Sequence, residues 1–314
     1  MSALTINAEF PADKPVDRVT HSKLVAAAAA EPAKETKMSK TAPLQSEGVP
    51  IGERINGLLR DALPPFLGML VLIGIWHVAT HKGGSIPSPA VVWDAAMALF
   101  ADPFYSNGPN DQGIGWNVLS SLQRVAIGFG FAAAVGIPMG FMIGRFEFLS
   151  KMLNPIISLL RPVSPLAWLP IGLLVFKKAD PAATWTIFIC SIWPMIINTA
   201  VGVQRVPQDY LNVARVLALS EWKVVTKILF PAVLPYMLTG IRLSIGTAWL
   251  VIVAAEMLTG GVGIGFWVWD EWNNLKVEHI IIAIFIIGIV GLVLEQALIM
   301  LAKKLTKIGR ASCR

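Results

Sequence analysis

Six stretches of about twenty largely apolar residues, near 64–80, 125–144, 152–176, 182–203, 233–257 and 280–302, leave this chain few ways to fold. A helix needs about 20 such residues to cross about 30 Å of hydrocarbon. Lipid offers no partner to a backbone N–H or C=O, so each stretch must satisfy its own backbone as a helix. The stretch 125–144 contains no charged residue at all. The expected fold is therefore an all-α integral membrane protein with six transmembrane helices.

Composition removes the main alternatives. Hydrophobic residues make up 55% of the 314 and charged residues 15%, against about 25% charged in soluble domains. The net charge of +6 is not gathered on one polar domain with interleaved aromatics, so nucleic acid is not an expected partner. Lys and Arg flank the apolar runs instead, which is how orientation in a bilayer is encoded. Cys190 and Cys313 have no ligand spacing, and His21, His77, His81 and His279 are scattered. No metal site and no catalytic cluster is expected.

Counting basic residues at the span ends sets the topology. With the N-terminus inside, thirteen face inward (Arg145, Lys151, Arg161, Arg205, Arg215, Lys223, Lys227, Arg242, Lys303, Lys304, Lys307, Arg310, Arg314) and five outward (Lys82, Arg124, Lys177, Lys178, Lys276). That bias predicts both termini in the cytoplasm. Residues 1–55 read as a disordered cytoplasmic extension, 56–304 as the transmembrane domain and 305–314 as a basic cytoplasmic tail. Outside, 86–100 reads as a short amphipathic surface helix.

Three features inside the spans stand out. The third run carries Pro155, Pro162, Pro165 and Pro170, and broken backbone at that depth survives only against protein or a water-filled cavity. Arg124, Arg161 and Arg242 are the basic residues nearest the hydrocarbon, so with Pro165 they are the candidate pathway residues. Snorkelling to the nearer surface is the competing account of each arginine, and Glu256 and Glu295 sit toward span ends, where Glu295 would partner a basic residue. Glycines of the second and fifth spans suit close helix packing. Gly260, Gly261, Gly263 and Gly265 read as a flexible outer loop.

Between the fourth and fifth runs lies a polar, helix-competent stretch, NVARVLALSEWKVVTKILFP (212–231). Val213, Val216, Leu217 and Ser220 fall at helical spacing, giving a short helix with one apolar face able to dock on a soluble partner. Ser220 suits the cap of a second helix starting at Glu221. No G-x-x-x-x-G-K-[ST] loop occurs in the chain, so no phosphate cradle of its own is expected.

At this point the residues resemble a known family, the inner-membrane permease subunits of binding-protein-dependent ATP-binding-cassette (ABC) importers. Their cytoplasmic loop reads E-A-A, three residues, G, nine residues, I-x-L-P. Here Asn212, Val213 and Ala214 fill the first places, Ala218 the glycine place, and Ile228, Phe230 and Pro231 the end. Asn212 lacks the family's carboxylate, and Ala218 puts a Cβ where a left-handed turn favours glycine. The stretch EMLTGGVGIGFWVW (256–269) is similar to the nitrate members of the nitrate, bicarbonate, sulfonate and taurine branch. The resemblance implies a six-helix permease bundle in a bacterial inner membrane, importing a small anion such as nitrate, with bicarbonate or a sulfonate as alternatives. It implies a coupling loop of Asn212, Val213, Ala214, Arg215, Val216, Leu217, Ala218, Leu219, Ser220, Glu221 and Pro231. Partners would be two cytoplasmic ATPase subunits, a periplasmic or lipoprotein substrate-binding protein and a second copy of the chain. No cofactor would be bound here, since ATP would be used by the partner subunits. A secondary transporter or channel is the rival from another class.

Overall fold

The computed structural model describes residues 51–311 apart from 82, 83, 85 and 110. The chain divides into two compact units, Met1–Pro64 and Pro65–Arg314. In the first, only the opening of helix α1 (Ile51–Thr80) is described. Most of the extension predicted over 1–55 therefore lies outside the described residues, and residues 51–55 are helical rather than irregular. From Pro65 onward α1 exposes apolar side chains on every side, among them Phe66, Val71, Ile75 and Val78. A helix apolar all round suits a lipid environment.

The second unit continues with α2 (Pro89–Ala101), α3 (Ile114–Arg145), α4 (Glu147–Leu160), α5 (Pro165–Phe176) and α6 (Ala179–Gln204). After these come α7 (Gln208–Val216), α8 (Glu221–Val224), a π turn (Val225–Leu229), α9 (Phe230–Thr259), α10 (Ile264–Asn273) and α11 (Val277–Ala311). Among the described residues there is no β-strand, only a lone bridge between Ser106 and Gln112. Among the described residues five helices are long and apolar enough to cross a membrane, or six if the bent pair α4 and α5 counts as one span.

The core is built by α3, α6 and α9. Their approach is close because glycine removes the side chain at the contact. A Cβ on Gly140 of α3 would press into Thr199 and the Ile196 carbonyl of α6, and one on Gly240 of α9 would press on the Pro194 carbonyl. Around this seam Val125, Ile187, Ile245, Ala248 and Ile252 are buried together. Toward the other end Val203, Leu229, Val233 and Met237 form a second buried cluster.

The third apolar run departs from a single crossing. It folds as two helices bent by 98°, because Pro162 and Pro165 cannot donate the hydrogen bonds that a continuous helix needs. Pro165 instead opens α5, where the missing N–H costs nothing. Backbone bonds from Arg161 to Ile157, Val163 to Leu160 and Ala167 to Ser164 carry the chain through the break. Two smaller expectations also change. The surface helix α2 buries only Val92 while Val91, Trp93, Met97 and Phe100 are exposed, so it is apolar on both faces rather than amphipathic. The final helix runs to Ala311, so 305–311 continue it instead of forming a separate tail.

Candidate functional site

The loop between α6 and α9 is a helical elbow. α7 ends at Val216, and Ala218 takes a left-handed φ of 48°. Leu219 N–H then donates to the Ala214 carbonyl at 3.0 Å and Ala218 N–H to the Arg215 carbonyl at 3.0 Å. Those two bonds are the Schellman closure of a helix C-terminus, in which the left-handed residue is normally glycine. The glycine place of the resemblance is thus a geometric requirement, here met by alanine at a cost of about 1 kcal/mol. The single helical face expected over 213–220 is corrected accordingly: the turn splits it after Val216. Ser220 does stand at the N-cap of α8, but it closes the turn through its backbone carbonyl, which accepts from Val224 N–H, and not through its hydroxyl.

The elbow has two faces. Leu211 and Ala214 are buried with Val224, Leu229 and Val233, tying α7 to the start of α9. Asn212, Val213, Arg215, Val216, Leu217, Ala218 and Glu221 are exposed, as is Pro231 in the first turn of α9. Val216 is 86% and Trp222 76% exposed, with Tyr210 and Val213 beside them. Leu219 is half-buried against the core. Arg145 at the end of α3 reaches Glu221 at 3.3 Å, and Arg215 donates to Asn212 Oδ1 at 3.3 Å. Asn212 therefore answers its own elbow's arginine.

At the opposite end of α3 lies a charged network. Arg124 precedes Arg145 by 21 residues, about 32 Å along a helix, which is one hydrocarbon thickness. Its Nη1 donates to Glu256 Oε1 at 2.6 Å and to the Val262 carbonyl at 2.7 Å. Its Nε and Nη2 donate to Asp180 Oδ1 at 2.9 and 2.6 Å. Glu256 is buried and also accepts from Ser121 Oγ at 2.8 Å and Gly265 N–H at 3.0 Å. Asn117 Oδ1 accepts from Gly263 N–H at 2.9 Å, and Ser121 Oγ from Ile264 N–H at 3.0 Å.

Two sequence expectations are corrected by this network. The glycine-rich segment is pinned by hydrogen bonds rather than flexible, and it leads directly into α10. A Cβ on Gly265 would overlap the Val253 carbonyl, which is why glycine stands there. Arg124 turns inward to two carboxylates instead of snorkelling. Sequence reasoning missed Asp180 and Glu256 as its partners; the signal available was Asn117, Ser121 and Arg124 recurring on one face of α3.

The other pathway candidates are not brought together with Arg124. Arg161 is exposed at the bend, in a cavity of about 510 Å³ with Asn154, Ser158 and Pro162. Arg242 and Glu295 border another of about 460 Å³, yet no ion pair joins them among the described residues. Pro165 opens α5.

Where α10 meets α11, Glu271 Oε2 lies 3.0 Å from His279 Nδ1 and 3.6 Å from Lys276 Nζ. The contact to His279 is a hydrogen bond only when Nδ1 carries a proton; neither atom has another hydrogen-bond partner among the described residues. The Trp267 ring stacks on His279 at 5.8 Å. Burial pushes the Glu271 carboxyl up, but His279 and Lys276 outweigh it and hold its pKa below the ordinary value of 4.5. A carboxylate with a depressed folded-state pKa stabilises above its unfolded value, and that contribution is lost as pH falls through the folded value. Acidification below about pH 4.5 should therefore loosen this junction, read as a tryptophan fluorescence change. Glu271→Gln should remove that transition; an unchanged acid transition in the variant would refute the assignment.

A helical bundle whose helices are long enough to span a membrane, with an exposed apolar elbow at one end and a buried charge cluster at the other, defines a multi-span membrane protein. The profile described as "binding-protein-dependent transport system inner membrane component" matches residues 136–307, and the chain belongs to that family of ABC importer permease subunits. It is similar to the nitrate import permease protein NrtB of Synechocystis sp., 49% identical over 233 residues, covering 74% of this chain and 85% of that protein. NrtB of Leptolyngbya laminosa is 47% identical over 245 residues, covering 78% and 88%. The bicarbonate transport system permease protein CmpB of Synechocystis sp. is 45% identical over 247 residues, covering 77% and 88%. Permeases of this family work with ATPase and substrate-binding partners.

Proposed function

We propose that this chain is the membrane subunit of an ATP-driven importer of nitrate. The observation that carries the coupling role is the elbow at 208–224: a rigid turn presenting Val213, Val216, Leu217 and Trp222 to solvent, with its other face packed on the start of α9. Exposed apolar side chains on a short helix suit the groove of a soluble partner. In this reading two cytoplasmic ATPase subunits grip the elbows of two copies of the chain, and ATP is bound there and not by this chain. A substrate-binding protein delivers the anion at the Arg124 end. Both termini are cytoplasmic and the membrane is the bacterial inner membrane.

The buried face gives the coupling its physics. A push on α7 reaches α9 through Leu211, Val224, Leu229 and Val233, which are packed together. ATP on one side and the loaded binding protein on the other then bias one two-state equilibrium. Arg124, Arg161, Pro165 and Arg242 are the proposed pathway residues; Arg161 and Arg242 supply positive potential to an anion, while Arg124, offset by Glu256, offers hydrogen-bond donors. Nitrate is preferred on the 49% identity to NrtB; bicarbonate is the second reading, favoured by the 45% identity to CmpB.

Reconstitution in proteoliposomes with cognate ATPase and binding protein tests both. ATP-dependent uptake of ¹⁵N-nitrate, exceeding that of ¹³C-bicarbonate, is the expected result. Preferential bicarbonate uptake would move the substrate to the second reading, and uptake by this chain alone without nucleotide would overturn the importer reading.

A further inference from the structure

The two carboxylates on Arg124 are not equivalent. Glu256 is buried to 2% side-chain exposure, and three donors besides the guanidinium's pair with Asp180 fix it: Ser121 Oγ, Gly265 N–H and Arg124 Nη1. Asp180, in the first turn of α6, is 73% exposed, and among the described residues its side chain bonds only to Arg124. The first pair orients the guanidinium; the second is the kind of solvent-facing pair that contributes little and exchanges readily.

Asp180 and Arg124 also border a cavity of about 630 Å³ between α3, the end of α5 and α6, with Ser120, Gln123, Thr184 and Trp185 in its wall. Trp185 Nε1 is buried and has no acceptor among the described residues. Lys177 and Lys178 stand exposed just before Asp180. We propose that Asp180 is a built-in stand-in for the transported anion: a planar oxyanion displaces its carboxylate from the Nε–Nη2 edge of Arg124 and occupies the cavity.

The chemistry favours a planar guest. Nitrate and bicarbonate share with a carboxylate the flat O–X–O edge that a guanidinium fork recognises, whereas a spherical halide does not. Glu256 already offsets the guanidinium's charge, so the guest gains by taking over Asp180's hydrogen bonds, and Asp180, still tethered to α6, keeps its own charge nearby and weakens the guest's hold. With Asp180 seated the edge is closed, and with Asp180 withdrawn it is open. The guest class rests on the import reading above; the displacement itself does not.

The test uses the full chain in lipid nanodiscs, titrated with nitrate (¹⁴N line broadening), bicarbonate (¹³C line broadening) and chloride (³⁵Cl line broadening). Asp180→Asn should tighten nitrate and bicarbonate binding about fivefold, the equivalent of about 1 kcal/mol, and leave chloride unchanged. Arg124→Gln should weaken both oxyanions at least tenfold. Unchanged or weaker oxyanion binding in Asp180→Asn would overturn the proposal, as would an equal gain for chloride. If nitrate import fails while the Asp180→Asn effect holds, the import reading falls alone; if import holds and the effect is missing, the displacement falls alone.

Discussion

Glu256→Ala should be the costliest single change in the bundle, lowering stability by about 3–5 kcal/mol. The carboxylate accepts from Arg124, Ser121 and Gly265, so its loss takes the buried counter-charge from Arg124 and the side-chain acceptor from Gly265 N–H, while Ser121 Oγ keeps the Asn117 carbonyl. Asp180 still holds the other edge of Arg124, which places the effect toward the lower end of that range. The consequence is local as well as global, because the same bonds hold the 260–265 turn against α3. Thermal unfolding in detergent should show the loss, and a cysteine placed at Val262 should label faster in the variant background. A destabilisation under about 1 kcal/mol would mean that the network is not the clamp described.

Ala218→Pro should abolish association with the ATPase subunit while leaving membrane insertion intact. Proline fixes φ near −65°, but residue 218 needs 48° and donates its N–H to Arg215. The elbow cannot close, and Val213, Val216 and Trp222 lose their common presentation. The spans on either side do not depend on that turn. Ala218→Gly is the matched control: it suits the left-handed turn and should retain association. Pull-down of the ATPase by the proline variant at the wild-type level would count against the elbow as the docking element.

What sequence could foresee follows from the range over which each constraint acts. Lipid thickness is a local, length-based demand, so the run 125–144 was readable and the structure places it inside α3 (Ile114–Arg145). The elbow was readable through the spacing of the family's loop, which puts Ala218 in the glycine place, whereas the Schellman closure that splits the 213–220 face emerged only in the structure. The bend of the third run was half-readable: four prolines announced a break, but not that it would reach 98°. Arg124 and Glu256, by contrast, lie 132 residues apart and meet only once α3 and α9 are docked. The polar face of Asn117, Ser121 and Arg124 marks one side of such a pairing but does not name the partner, and neither α10, hidden behind Gly260, Gly261 and Gly263, nor the π turn at Val225–Leu229 has a pattern that distinguishes it in advance.

The glycine seam between α3 and α6 has a consequence for the energised membrane. Where Gly140 lies against Thr199 and Gly144 against Val203, no room remains for a file of water, so the pair forms a watertight rib. A route for solute through the subunit therefore runs along surfaces other than this rib.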